Sequence, residues 1–150
     1  MNAFEPRRHE GDISPTQMAL LPAADPDARK IAAYLASGQV WADAQGAAIA
    51  IIQPHSPDVF EIMNIALAEH MRGQGHGKAF LQGFIAMLKA RVVRAVEIGT
   101  GNSSLDQLAL YQKLGFCITG IVADFFDDYP EPIVENGIAC RDKVRLRVEL

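Results

Sequence analysis

The chain reads as a single α/β domain, with strands and helices alternating around one mixed sheet. Three observations lead there. Apolar runs of strand length recur between amphipathic runs of helix length. A glycine-dense turn, Arg72-Gly73-Gln74-Gly75-His76-Gly77, joins a strand-like run, Ile62 to Ala68, to a helix-like run, Lys78 to Arg91. The length of 150 residues is that of one domain, and 49% hydrophobic against 21% charged residues supports a core and excludes a disordered chain.

The elements follow in order. Residues 1–15 are polar, hold Pro6 and Pro15, and predict a loose lead-in ahead of a domain over 16–150. Gln17 to Leu21 is a short apolar run that predicts a first strand, ended by Pro22. Asp25-Pro26 predicts a helix start, Asp as N-cap and Pro at the first position. Ile31, Tyr34 and Leu35 carry that helix at helical spacing to Ser37, and Gly38 closes it. Gln39 to Ala44 and Ala47 to Ile52 predict two strands joined at Gln45-Gly46. Pro54 to Pro57 predicts a loop, and Phe60 to Ala68 the central strand.

Lys78 to Arg91 carries an apolar stripe, Phe80, Leu81, Phe84, Ile85 and Leu88, on one helical face. Ala95 to Thr100 predicts a buried strand. Leu105 to Leu114 predicts a helix with Leu105, Leu108 and Tyr111 or Leu110 turned inward and Gly115 as its end. Phe116 to Ala123 predicts another strand, and Asp124 to Asn136 an acidic, aromatic loop. Val144 to Leu150 alternates Val and Leu with Arg and Glu, as a strand does, and this strand is the expected site of pairing with a second copy. No linker separates a second domain.

Composition narrows the function. The net charge of −4 speaks against a non-specific nucleic-acid binder, which wants a basic face. Cys117 and Cys140 lie far apart, without a CxxC spacing, so neither a metal site nor a disulfide framework is expected, and a reduced, cytoplasmic setting is the default. The first residues are charged and lack the apolar stretch of a signal peptide, and no window has the ~20 apolar residues of a membrane helix.

The glycine turn carries the chemistry. A glycine-dense corner between strand and helix is an anion site. Glycine tolerates positive φ and close approach of the backbone, and the first amides of a helix have no intrahelical partners. A P-loop reading fails, because Arg72 stands where the first glycine belongs and Ala79 follows Lys78 where Ser or Thr is needed. A dinucleotide fingerprint fails too, since Gly-x-Gly-x-x-Gly begun at Gly73 or Gly75 ends on Lys78 or Phe80.

Arg72-x-x-Gly75-x-Gly77 resembles the Gln/Arg-x-x-Gly-x-Gly/Ala signature of the GNAT superfamily of N-acetyltransferases. A second block, Leu110-Tyr111-Gln112-Lys113-Leu114-Gly115-Phe116, resembles that family's Leu-Tyr-x-x-x-Gly-Phe stretch, in the same order along the chain. The resemblance covers about residues 60 to 122. It implies a mostly antiparallel sheet and transfer of an acetyl group from acetyl-CoA to an amine of a small molecule or peptide by direct attack.

The resemblance also implies a site. Arg72, Gly73, Gly75, His76, Gly77 and Lys78 would bind the pyrophosphate of coenzyme A through backbone amides. Ile65 and Leu67 on the central strand would bond the pantetheine arm and polarise the thioester oxygen. Tyr111 stands at the position of the general acid. A family Asn is often found seven residues before this Tyr; Ser104 stands there, with Asn102 two residues earlier, and Ser104 either joins the cofactor site or caps the next helix. Glu61, at the start of the central strand and on period-2 alternation sharing a face with Met63, Ile65 and Leu67, is the expected base, with Glu97 as rival; the resemblance equally allows no side-chain base, the amine losing its proton through water. Cys117 beside Phe116 reads as a buried small hydrophobe rather than a nucleophile. The acidic stretch Asp124 to Tyr129 offers charge and aromatic contact to a cationic acceptor. The other reading of the same features is an acyl-CoA-binding sensor that keeps the fold without turnover.

Overall fold

The computed structural model describes residues 6–150. In chain order its elements are β1 (Arg7–His9), α1 (Pro15–Met18), a 3-10 turn (Leu21–Ala23), α2 (Ala28–Ser37), β2 (Gln39–Ala42), β3 (Ala48–Ser56), β4 (Val59–Leu67), a second 3-10 turn (Glu69–Met71), α3 (His76–Ala90), β5 (Ala95–Gly101), α4 (Leu105–Lys113), β6 (Cys117–Val122), the small hairpin β7 (Val134–Glu135) and β8 (Ile138–Ala139), and β9 (Lys143–Glu149). Seven strands form one sheet in the order β1-β2-β3-β4-β5-β9-β6. Among the described residues, only β4 and β5 are parallel neighbours. The other pairs in this sheet are antiparallel, so it is mixed and mostly antiparallel.

Two apolar layers cover the sheet. Phe80, Leu81, Phe84 and Leu88 of α3 pack with Trp41, Ala50, Ile52, Ile62, Val96 and Leu146. Burying each such large side chain stabilises by roughly 1.5–3 kcal/mol. Leu21, Ile31, Ile49, Ile51 and Ala66 form the layer on the other face. β3 feeds both, which is why Ala48 to Ile52 is an unbroken apolar run rather than an alternating one. The β2–β3 hairpin is closed by Asp43, whose carboxylate accepts from the Ala48 amide at 2.9 Å, and by Gly46 at φ +70°.

The structure corrects several expectations. Gln17 to Leu21 is not a strand. Ser14 and Gln17 form a reciprocal capping box and Pro15 starts the helix, so local capping overrides a short apolar run. The cap of α2 is Asp27, not Asp25; its carboxylate accepts from the Arg29 amide at 3.0 Å. Pro54 and His55 belong to β3, which runs to Ser56. Of the expected lead-in, residues 7–9 form the edge strand on β2, while residues 1–5 lie outside the described residues. Leu105 is 46% exposed rather than turned inward, and Cys117 is exposed rather than buried. β9 is not a free strand: it lies between β5 and β6, with both its edges paired.

Candidate active site

The cleft begins where the two parallel strands part. β4 pairs with β5 only from Val59 to Ile62, opposite Ala95 to Ile98. Beyond that point β4 remains on β3, from Asn64 to Leu67, and β5 remains on β9, from Gly99 to Gly101. A cleft of about 580 Å³ opens between them, with Glu61 to Leu67, Gly99 to Gly101, Ser104 and Tyr111 in its lining.

A bulge controls which side chains meet it. Ile51 pairs with Asn64 but Ile52 pairs with Ile62, so Met63 is an extra residue. The alternation flips there. Ile62, Ile65 and Leu67 pack in the α3 layer, whereas Asn64 turns to the other face and donates to the Leu21 carbonyl at 3.2 Å. Glu61 therefore does not share the face of Ile65 and Leu67, as strict alternation predicts. It faces the α2 side, within electrostatic reach of Tyr34.

The glycine turn sits at one end of this cleft. Gly73 and Gly75 have φ of +73° and +80°, and a Cβ added to either would meet nothing within 4 Å, so backbone conformation and not crowding demands glycine there. Gly75 is the N-cap of α3, and it offers no side chain to the first-turn amides; Ala79 is the first residue to bond back, to the Gly75 carbonyl at 3.0 Å. Arg72 braces the turn by donating from Nε to the Leu67 carbonyl at 3.0 Å. Arg72 and Gly77 line the cleft, and Gly73, Gly75, His76 and Lys78 stand at its rim, outside the lining. A glycine-dense turn, a helix N-terminus without a side-chain cap and a parted strand suit a long phosphate-bearing thioester.

Tyr111 reaches the cleft from α4. It is 5% exposed, its ring lies 6.0 Å from that of Phe116, and burial pushes its phenol up to about 12. Ser104 is the N-cap residue of α4 but makes no cap bond; its hydroxyl donates instead to Glu135 Oε1 at 3.1 Å. Asn102 is a structural tie. Its carbonyl oxygen accepts from the Arg141 and Asp142 amides at 2.8 and 3.0 Å, and its amide donates to the Ala139 carbonyl.

The far end of the cleft is aromatic. Phe125, Phe126, Tyr129 and Tyr34 line it together with Asp25 and Glu61. The acidic loop divides by side: its aromatic members turn inward, while Asp124 and Asp128 are 62% and 65% exposed and pair with Arg141 and Lys30. The Phe125 ring carries two cations, Lys30 Nζ at 4.7 Å and Lys143 Nζ at 4.8 Å from its centroid. Burial raises Asp25 above the usual carboxylate range, against the hydrogen bonds it accepts from the Asp27 amide and Tyr129. Burial, then the nearby Asp25 and Glu61 carboxylates, push Tyr34 up to about 12. Tyr129 is raised by burial and by Asp25.

Glu61 is held from two sides. His55 Nε2 lies 2.6 Å from Oε1, and Lys143 Nζ lies 3.6 Å from Oε2. The Lys143 stem crosses Gly99 to get there, and a Cβ on Gly99 would strike it, which explains a glycine inside β5. Glu97, the rival base, pairs with Arg145 at 3.5 Å and lies outside the cleft lining. Sequence reasoning missed Asp25, Tyr34, Glu135 and Lys143 as cleft residues and passed over His55. The six-residue spacing of His55 and Glu61 was the one local signal available.

Comparison with known proteins agrees with this geometry. Residues 6–116 match the Acetyltransferase (GNAT) family. The chain is 43% identical over 135 residues to an uncharacterised N-acetyltransferase, YvbK, of Bacillus subtilis (strain 168), with 87% of each chain covered. Among solved structures, an IAA acetyltransferase from Bacillus cereus ATCC 14579 is 43% identical with a TM-score of 0.87, over 97% of this chain and 98% of that one. A GNAT family acetyltransferase from Elizabethkingia anophelis, solved with acetyl-CoA bound, is 41% identical with a TM-score of 0.87, over 97% of both chains. The chain belongs to the GNAT family of acetyl-CoA-dependent N-acetyltransferases.

Proposed function

We propose that this protein acetylates a primary amine carried on a small molecule or peptide, by direct attack, with Tyr111 as general acid and Glu61 as base. The observation that carries the reading is that both side chains line the cleft that opens where β4 leaves β5. Acetyl-CoA supplies an activated acetyl group. The amides of Gly73, Gly75, His76, Gly77 and Lys78, with Arg72, hold its phosphates, and the β4 backbone at Ile65 and Leu67 holds its arm. Ser104 serves the cleft wall through Glu135.

Glu61 takes the proton from the acceptor's ammonium, so that nitrogen attacks with its lone pair. Tyr111 holds the proton that the departing sulfur takes up. A phenol near 12 stays protonated at every working pH. It is a weak acid at that value, so the hydrogen bond it donates to developing thiolate charge stabilises before the proton moves. The aromatic wall of Phe125, Phe126 and Tyr129 supports an acceptor with a flat or apolar body behind its amine.

The test is release of CoA from acetyl-CoA with a panel of aryl-alkylamines, polyamines, amino acids and short peptides. Tyr111→Phe is expected to lower kcat by about 10²–10³ while leaving the acetyl-CoA Kd unchanged. The reading is sunk if no amine raises CoA release above the rate with acetyl-CoA alone.

A further inference from the structure

Glu61 is an incomplete base as it stands. Its side chain is 12% exposed, so a proton taken from an acceptor has little direct route to water. Its two oxygens are held by unlike groups. Lys143, at Oε2, carries an ammonium that only donates. His55, at Oε1, carries a ring nitrogen that accepts or donates according to its state. His55 is 43% exposed, and it lies outside the cleft lining that includes Glu61. The carboxylate thus has the cleft on one side and, through an imidazole 2.6 Å away, water on the other.

The backbone is shaped for this contact. Pro54 pairs with Phe60 and Ser56 with Val59, so His55 is an extra residue in the β3–β4 pairing. Such an insertion re-aims one side chain. Gln53, two residues earlier, is the direct cross-strand partner of Glu61. The other ionisable groups facing Glu61 do not offer an outlet. Tyr34 of α2 is pushed up to about 12, Asp25 is buried beside it, and Glu97 across the β4–β5 register is held by Arg145.

Building on the assignment of Glu61 as base, we propose that His55 is its positioning partner and carries the acceptor's proton on to solvent. In the step, the Glu61 carboxylate takes a proton from the ammonium and becomes the carboxylic acid. Protonated Glu61 then donates to Nε2 of the Nδ1–H tautomer of His55, restoring the carboxylate; the imidazolium releases its Nδ1 proton to bulk water, and proton exchange with water returns the ring to the Nδ1–H tautomer for the next turnover.

Two small amines of similar shape separate this role from a structural one: ethylamine, which is charged at neutral pH, and 2,2,2-trifluoroethylamine, which is not. Initial rates of CoA release are compared at neutral pH for the full chain, His55→Gln, His55→Ala and Glu61→Gln, with acetyl-CoA affinity measured alongside. His55→Gln is expected to lower kcat/KM for ethylamine about tenfold, keep most of the rate with trifluoroethylamine, and leave the acetyl-CoA Kd in place. Added imidazole should restore ethylamine turnover in His55→Ala. Equal losses with both amines, or no loss with either, overturn the relay. If Glu61→Gln keeps the full ethylamine rate, the base assignment itself falls. If Glu61→Gln loses that rate and His55→Gln does not, only the relay falls. Wild type releasing no CoA with these amines or with any amine of the wider panel overturns both.

Discussion

The two ends of the cleft are built in opposite ways. The turn end comes from one stretch, β4 through the start of α3, and works through backbone: positive-φ glycines and a helix N-terminus without a side-chain cap. The aromatic end gathers Asp25, Tyr34, Glu61, Phe125, Tyr129 and Lys143 from five parts of the chain and works through side chains. Backbone sites depend on conformation, so one substitution that forbids the conformation removes them. Side-chain sites share their work, so single losses are graded. On the proposed function, the same contrast would suit a ligand common to a whole family at the first end and a variable acceptor at the second.

Gly75→Val should break the turn end outright. Valine at φ +80° is strained, yet nothing lies within 4 Å of its Cβ, so the fold should survive while acetyl-CoA affinity falls at least about a hundredfold. Calorimetry reads the affinity. A thermal shift gives a second view, since ligand at about 100 times its Kd adds roughly 2.7 kcal/mol. A folded variant that binds as wild type does would move the cofactor away from the turn.

Between the ends sits Tyr111, and alkaline stability tests its burial. Its folded-state value of about 12 exceeds the ordinary value of 10.0, so the native state binds more protons than the unfolded one between these limits. That stabilisation is fully present below about pH 10 and is lost as pH rises toward 12. Wild type should therefore lose roughly 2–3 kcal/mol more than Tyr111→Phe across the window, from urea unfolding on either side of it. Parallel losses would mean that the phenol is hydrated in the fold. Tyr34 titrates in the same range and is present in both proteins, so it cancels.

Phe125→Ala should produce a graded loss at the aromatic end. It removes the ring that Lys30 and Lys143 both cover, and the KM of an accepted amine should rise about tenfold with the acetyl-CoA Kd unchanged. A change in acetyl-CoA affinity instead would show that the two ends are not separate. The smallest effect is expected of Ser104→Ala. Its hydroxyl serves Glu135 and not a cap, so acetyl-CoA affinity should stay within about threefold and stability within about 1 kcal/mol. A large loss of affinity would return Ser104 to the cofactor.

The local parts of the fold were readable from residues close in sequence. The β2–β3 hairpin, the apolar stripe of α3, Gly115 at the end of α4 and the glycine turn all emerge from spacing alone. The failures have two causes, one local and one tertiary. At Gln17 to Leu21 an apolar run was outweighed by the Ser14–Gln17 capping box, whose two bonds act within four residues. At Glu61 the period-2 rule was defeated by one inserted residue, Met63, and an insertion shows only once the partner strand is known. Leu105 and Cys117 carried apolar character without the tertiary neighbours that bury it.

Sequence therefore settled much of what depends on near neighbours: the α3 stripe, the β2–β3 hairpin, the turn and the family signature, because φ preferences and helical periodicity act over a few residues. Tertiary structure decided what depends on distant partners. The strand order that slots β9 between β5 and β6, the parting of β4 from β5, the lysines on Phe125 and the His55–Glu61–Lys143 contact all follow from it. Hydrogen bonds and ion pairs act over a few ångströms of space, and only the folded sheet brings Lys143 within that distance of Glu61, eighty-two residues earlier in the chain.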